Sequence, residues 1–154
     1  MSLQRRDPVI YDRNTMTACA RPMSSPLVLI VENDLDTRHF YSRAFEDAGF
    51  RIDQAHNGHQ ALDKALKIPP DLIVADIAIP GMDGIELCRR LRADDRTRAI
   101  PVLAITGYGD RRYQDRARSA GADQVLIKPC TAETVVAEAR RLLALPIRAG
   151  KNIA

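Results

Sequence analysis

The chain contains no tryptophan, only three phenylalanines and four tyrosines, and just three cysteines in 154 residues. Tryptophan fluorescence therefore cannot report its folding. Cys19, Cys88 and Cys130 match no zinc or redox spacing, and they read as reduced thiols of a cytoplasmic protein. No apolar stretch approaches the ~20 residues of a membrane span. The N-terminus lacks the apolar core and cleavage site of a secretory leader. Charge of one sign is also scarce. The 23 Lys and Arg residues nearly balance 20 Asp and Glu, leaving +3 without a run of like charge. That excess is too mild to argue for direct nucleic-acid binding. With 45% hydrophobic and 28% charged residues, the composition excludes a disordered chain, a collagen and a disulfide scaffold.

What is present suits one globular domain. A domain near this length buries roughly 70% of the surface its unfolded chain exposes, enough for a core without staples. Residues 1–25 lack sustained periodicity and read as a tail. Residues 26–145 carry the regular pattern, and residues 146–154 form a second tail.

Within the regular part, short apolar runs alternate with helical spacing. Leu27 to Val31, Leu72 to Ala75, Val102 to Ile105 and Val125 to Ile127 read as strands buried on both faces. Arg51 to Ala55 is a weaker one. The first helical segment has Asp36 as cap, a stripe of Phe40, Ala44, Phe45 and Ala48, and a stop at Gly49. The second carries Ala61, Leu62, Ala65 and Leu66 and ends at Pro69-Pro70. The third carries Leu87, Cys88 and Leu91. The fourth carries Tyr113, Ala117 and Ala120 and stops at Gly121. The fifth is capped by Thr131, with Val135, Val136, Ala139, Leu142 and Leu143 as its stripe. Five strands alternating with five helices predict an α/β fold, a doubly wound parallel sheet. Function in such sheets gathers at the carboxyl edge of the strands.

The polar residues expected at that edge form a distinctive set. Glu32, Asn33 and Asp34 follow the first strand, Asp76 ends the third, Thr106 ends the fourth, and Lys128-Pro129 ends the fifth. Grouped oxygens suit a hard cation such as magnesium (Mg2+), which keeps several waters. A carboxylate can act as a nucleophile toward phosphorus. A hydroxyl and an ammonium can hold phosphoryl oxygens.

The chain resembles the receiver domain of bacterial two-component response regulators. The resemblance is carried by Val31-Glu32-Asn33-Asp34, Pro70 to Asp76, Ile79-Pro80-Gly81-Met82-Asp83-Gly84, Ile100-Pro101-Val102, Thr106, Gly121-Ala122-Asp123 and Lys128-Pro129. It spans about residues 26–145 and implies a flavodoxin-like five-stranded sheet of order 2-1-3-4-5. It further implies that Asp76 is the phosphoacceptor, taking a phosphoryl group from a sensor histidine kinase or histidine phosphotransfer protein. Glu32, Asn33, Asp76 and the Ala78 backbone carbonyl would surround Mg2+ (or Mn2+). Thr106 and Lys128 would hold the phosphoryl oxygens, and the Lys128-Pro129 bond is often cis in the family. The domain signals without acting as an enzyme on a separate substrate. Its output passes to a downstream protein, or to a second copy in a homodimer, through helix 4, strand 5 and helix 5.

Two positions depart from the family pattern. Asn33 stands where a metal-binding Asp is usual, which removes one negative charge and should weaken Mg2+ binding; Asp34 is a candidate to compensate. Val125 stands where an aromatic ring usually swings, so the expected switching is weaker or rewired. Two further positions bear on phosphoryl lifetime. Ala78 offers no polar group to position water, and Tyr108 is bulky enough to shield the site, which together imply slow self-dephosphorylation. In the first helix Phe40 is expected in the core and Arg38 in solvent. Arg111, Arg112, Arg116 and Arg118 give the fourth helix a solvated basic face.

Other readings compete. A pseudo-receiver would bind partners without phosphorylation; Asn33 and Val125 favour it, and Asp76, Thr106 and Lys128 oppose it. The nine residues after Leu145 are too few for a DNA-binding or kinase domain. That predicts a single-domain regulator unless the chain is a piece of a hybrid kinase or DNA-binding regulator. A flavin enzyme of similar fold is disfavoured, because no Ser/Thr/Gly-rich phosphate loop follows the first strand.

Overall fold

The computed structural model describes residues 25–79, 81–107, 109 and 111–145. The expected tails, apart from Ser25, lie outside the described residues, and so does Tyr108. Among the described residues ten elements alternate strictly: β1 (Leu27–Val31), α1 (Leu35–Asp47), β2 (Arg51–Ala55), α2 (Gly58–Lys67), β3 (Leu72–Asp76), α3 (Gly84–Ala93), β4 (Val102–Thr106), α4 (Arg111–Ala120), β5 (Gln124–Ile127) and α5 (Ala132–Ala144). The strands form one parallel sheet of order β2-β1-β3-β4-β5. The expected 2-1-3-4-5 arrangement is the one observed.

Parallel strands covered on both faces must be apolar throughout, and all five residues of β3 and of β4 are buried. One core lies between the sheet and α1 and α5, built from Val28, Ile30, Tyr41, Phe45, Leu103, Val135 and Ala139. The other lies under α2, α3 and α4, with Leu29, Ile73, Ala61, Ile85, Leu91 and Ala117. Edge strand β2 buries only Ala55 fully, which explains its weaker sequence signal.

Two details of α1 differ from expectation. Its N-cap is Asp34, whose Oδ2 accepts the Thr37 N–H at 2.8 Å, while Asp36 sits in the first turn. Its buried face is formed by Tyr41, Ser42 and Phe45, and Phe40, expected in the core, is 58% exposed. The other stripes lie inward as expected, and Thr131 caps α5.

Candidate functional site

All-buried β3 delivers Asp76 to the carboxyl edge with only 8% of its surface exposed. Its carboxylate is held from two directions. Oδ1 accepts the Ala78 N–H at 2.9 Å, and Oδ2 accepts the Lys128 ammonium at 2.6 Å. Lys128 follows β5, where its own N–H donates to the Thr106 carbonyl at 2.7 Å and its bond to Pro129 is cis. Glu32 follows β1 and is buried. Its Oε2 accepts the Asp34 N–H at 3.1 Å, and its Oε1 lies 3.8 Å from the Lys128 ammonium. One ammonium therefore serves two carboxylates.

Those positions dictate the electrostatics. Burial pushes the Glu32 carboxyl above its ordinary range, and the nearby Asp76 charge adds to it. The Asp34 N–H and Lys128 act against this rise. Partial burial pulls the Lys128 ammonium down. The hydrogen bond and charge of Asp76, with the charge of Glu32, outweigh burial and hold it above the ordinary lysine range. Beneath the site Tyr41 is buried. Burial, and then the adjoining Cys130 thiol, push its phenol up to about 12.

The remaining expected residues fall around this centre. Thr106 is fully buried at the end of β4, one residue past the Ile105 that pairs with Asp76. Asn33 and Ala78 are exposed on their turns. Asp34 directs Oδ2 to the Thr37 N–H and to the Thr37 hydroxyl at 2.6 Å. Val125 is buried in the core under α4.

The donor set consists of oxygens. The Asp76 oxygens accept from the Ala78 N–H and the Lys128 ammonium. The Asn33 amide and Ala78 carbonyl lie on the adjoining turns. Two carboxylates with neutral oxygens fit a hard cation that retains water. Among the described residues no three His, Cys, Asp or Glu side chains group into a metal cage.

Two contributors escape the sequence reading. Arg38, expected in solvent, is half-buried. Its Nη1 donates to the Glu32 carbonyl at 2.8 Å and its Nε to Gln54 Oε1 at 2.9 Å. The signal for Gln54 lay in the strand order. Pairing β1 beside β2 in parallel register sets Gln54 opposite Ile30, at the same edge as Glu32.

Comparison with known proteins agrees with this architecture. The model of the response regulator receiver domain matches residues 28–140. The DNA-binding dual master transcriptional regulator RpaA of Synechocystis is 37% identical over 118 residues, covering 77% of this chain and 49% of the relative. The chain spans about half the length of the curated relatives it matches. Among solved structures, the chemotaxis response regulator CheY4 of Vibrio cholerae superposes with a TM-score of 0.73 at 28% identity, covering 77% of this chain and 99% of that one. The receiver domain of a sensor histidine kinase from Pseudomonas aeruginosa, solved with a magnesium ion in its active-site cleft, reaches a TM-score of 0.74 over 79% of this chain and 100% of that one; at 23% identity it bears on the fold. No helix among the described residues is long and apolar enough to cross a membrane. The chain belongs to the response regulator receiver domain family.

Proposed function

We propose that this receiver domain is a phosphoacceptor of a two-component phosphorelay, with Asp76 as the residue phosphorylated. The observation that carries the reading is the Asp76 carboxylate held between a backbone N–H at 2.9 Å and the Lys128 ammonium at 2.6 Å. On this reading an Asp76 oxygen attacks the phosphorus of a phosphohistidine on a sensor histidine kinase or histidine phosphotransfer protein. An O–P bond forms, the P–N bond breaks, and the imidazole leaves with the electron pair and takes up a proton. Lys128 transfers its ion pair from the carboxylate to a phosphoryl oxygen, and the Thr106 hydroxyl donates to another. Glu32, Asn33, Asp76 and the Ala78 carbonyl would hold Mg2+ (or Mn2+), which when bound neutralises charge on the phosphoryl oxygens. Water later cleaves the acyl phosphate to the free carboxylate and inorganic phosphate. Output passes to a partner protein through α4, β5 and α5.

The test is intact-mass analysis of the full chain after incubation with phosphoramidate or acetyl phosphate and Mg2+. One added phosphoryl group, absent in Asp76→Asn, is the expected result. No adduct with either donor, in a folded protein that binds Mg2+, would make the domain a phosphorylation-independent binding module.

A second reading is favoured by one observation: relatives of about twice this length include RpaA, named as a DNA-binding transcriptional regulator, and ResD and PhoB, named as transcriptional regulatory proteins. In that case this receiver is the regulatory half of a longer transcription factor. Reading the open reading frame beyond Ala154 decides between a free-standing and a tethered receiver.

A further inference from the structure

We infer that Arg38, anchored by Gln54, is a positioning residue that fixes the acidic turn of the site and thereby sets its affinity for Mg2+. The inference rests on the reading of the site as a Mg2+-assisted phosphoacceptor.

The turn after β1 carries two of the candidate ligands, Glu32 and Asn33. Its last tie to the sheet is the Glu32 N–H, which donates to the Ala55 carbonyl at 3.0 Å. Beyond that point the chain leaves β1 and turns into α1. The Glu32 carbonyl is instead taken by Arg38 Nη1 at 2.8 Å, reaching back from the first turn of α1. The same guanidinium is tied to β2 through its Nε, 2.9 Å from Gln54 Oε1. Gln54 is itself fixed, because its carbonyl accepts the Lys64 ammonium at 2.6 Å, and that ammonium also pairs with Asp53 at 2.9 Å. The peptide between Glu32 and Asn33 is thus held by a fork rooted in a second strand and a second helix. Turning that peptide would move both ligands together.

Arginine is required for this role. Its planar fork presents two N–H groups to two acceptors at once, which a lysine ammonium on a flexible stem does not reproduce. The role also weighs more here than in a site with a full acidic pair. With Asn33 neutral, the cation is attracted by two carboxylates, and its binding depends on where the oxygens are held.

Charge and positioning predict opposite outcomes. As a mere cation near the site, Arg38 would repel Mg2+, and weakening its hold would not loosen binding. As a clamp, its disruption misplaces the turn and weakens binding. Gln54→Leu separates the two, because it leaves the guanidinium charge in place and removes only its anchor. The experiment is calorimetric titration of the full chain with MgCl2, alongside phosphoryl uptake from phosphoramidate by intact mass. Arg38→Lys is expected to raise the Mg2+ dissociation constant about tenfold, the lower end of what losing an outer-shell partner costs. Gln54→Leu raises it by less, Gln54→Glu keeps the acceptor oxygen and holds the affinity, and saturating Mg2+ restores uptake in all three. Unchanged or tighter Mg2+ binding in folded Gln54→Leu overturns the inference, whatever the stability of the Arg38 variant. If the unsubstituted chain neither binds Mg2+ nor takes a phosphoryl group, the phosphoacceptor reading fails and this inference with it. If the unsubstituted chain does both, an unchanged Gln54→Leu overturns the clamp alone.

Discussion

Replacing Arg92 with methionine should cost the fold about 3 kcal/mol, because one guanidinium closes the amino-terminal side of β4. Arg92 Nη1 donates to the Ile100 carbonyl at 2.7 Å and to the Arg98 carbonyl at 3.1 Å. Nη2 donates to the Gly121 carbonyl at 2.7 Å and to Asp123 Oδ2 at 3.1 Å. Asp123 Oδ2 in turn accepts the Val102 N–H at 2.8 Å, at the first residue of β4. Gly121 permits this approach, since a methyl group there would lie 2.6 Å from Arg92 Cγ, at a φ of +122° that favours glycine. Methionine keeps the length of the stem and removes every donor. Each buried acceptor left without its partner costs about 1–3 kcal/mol. The Arg92 and Asp123 side chains retain 13% and 19% exposure, so water replaces part of what is lost. The sum falls at the low end of the range for breaking a buried pair, roughly 3 kcal/mol.

The assay is urea unfolding followed by far-ultraviolet circular dichroism, since the chain has no tryptophan. A loss of this size lowers the melting temperature by roughly 10 °C. Arg92→Lys should fall between the two, retaining a charge for Asp123 without the fork. The carboxyl edge is untouched, so Mg2+ affinity per folded molecule should not change. A measured loss below about 1 kcal/mol, the scale of an exposed ion pair, would refute the reasoning.

Three further outcomes are expected. Asn33→Asp should tighten Mg2+ binding by on the order of tenfold, because it adds a unit charge at ligand distance; a calorimetric titration showing equal or weaker binding would contradict the assignment. Gly84→Ala should destabilise by about 2 kcal/mol through overpacking, since the new Cβ would lie 2.7 Å from Ile77 Cα and 3.0 Å from the Asp76 carbonyl oxygen; phosphoryl uptake should fall with it, as the displaced backbone carries Asp76. The Arg96 guanidinium, hydrogen-bonded to Asp94, lowers that carboxyl from 3.8 to about 2. Its folded value lies below its unfolded one, so the contribution is complete above pH 3.8 and is lost as the pH falls toward 2; Asp94→Asn should flatten that acidic limb of a stability–pH curve and leave the curve near neutrality unchanged in slope.

The parts of the molecule legible in the sequence are those in which one residue's environment follows from its neighbours along the chain. β3 and β4 are buried on both faces, and an uninterrupted apolar run is the direct image of that. Asp76, Thr106 and Lys128 follow such runs, so their arrival at one edge could be read once the alternation was recognised. The face of α1 could not be read as safely. Phe40 and Tyr41 are adjacent aromatics, and only one of the two can share the buried face with Phe45; the packing turns Tyr41 inward and leaves Phe40 exposed. Arg38, Gln54 and Arg92 were illegible for a different reason. Long guanidinium side chains take their meaning from carbonyls brought near by tertiary structure, and a sequence scan sees in them solvated charge. Gln54 stands with Arg51 and Asp53 in a largely polar strand, which β2 tolerates because it lies at the sheet's edge.

The carboxyl edge also explains how a site can work with few charges. The Asp76 charge lies close enough to the buried Glu32 to oppose its ionisation, and a single ammonium lies beside both carboxylates. Without Lys128, Glu32 and Asp76 would keep the burial and mutual repulsion that raise the Glu32 carboxyl and lose the charge that opposes them. With Lys128 in place, the pair carries one net negative charge for an incoming cation. An Asp at position 33 would double that net charge, and Asn33 keeps it low. On the proposed Mg2+ reading, such a site depends on the fixed direction of its oxygens as well as on charge. Burial supplies that fixity at Asp76, the Asp34 N–H supplies it at the Glu32 carboxylate, and the Arg38 fork supplies it at the Glu32 carbonyl. Substituting any one of these supports should therefore cost more cation affinity here than the same change in a relative with two acidic residues at the turn.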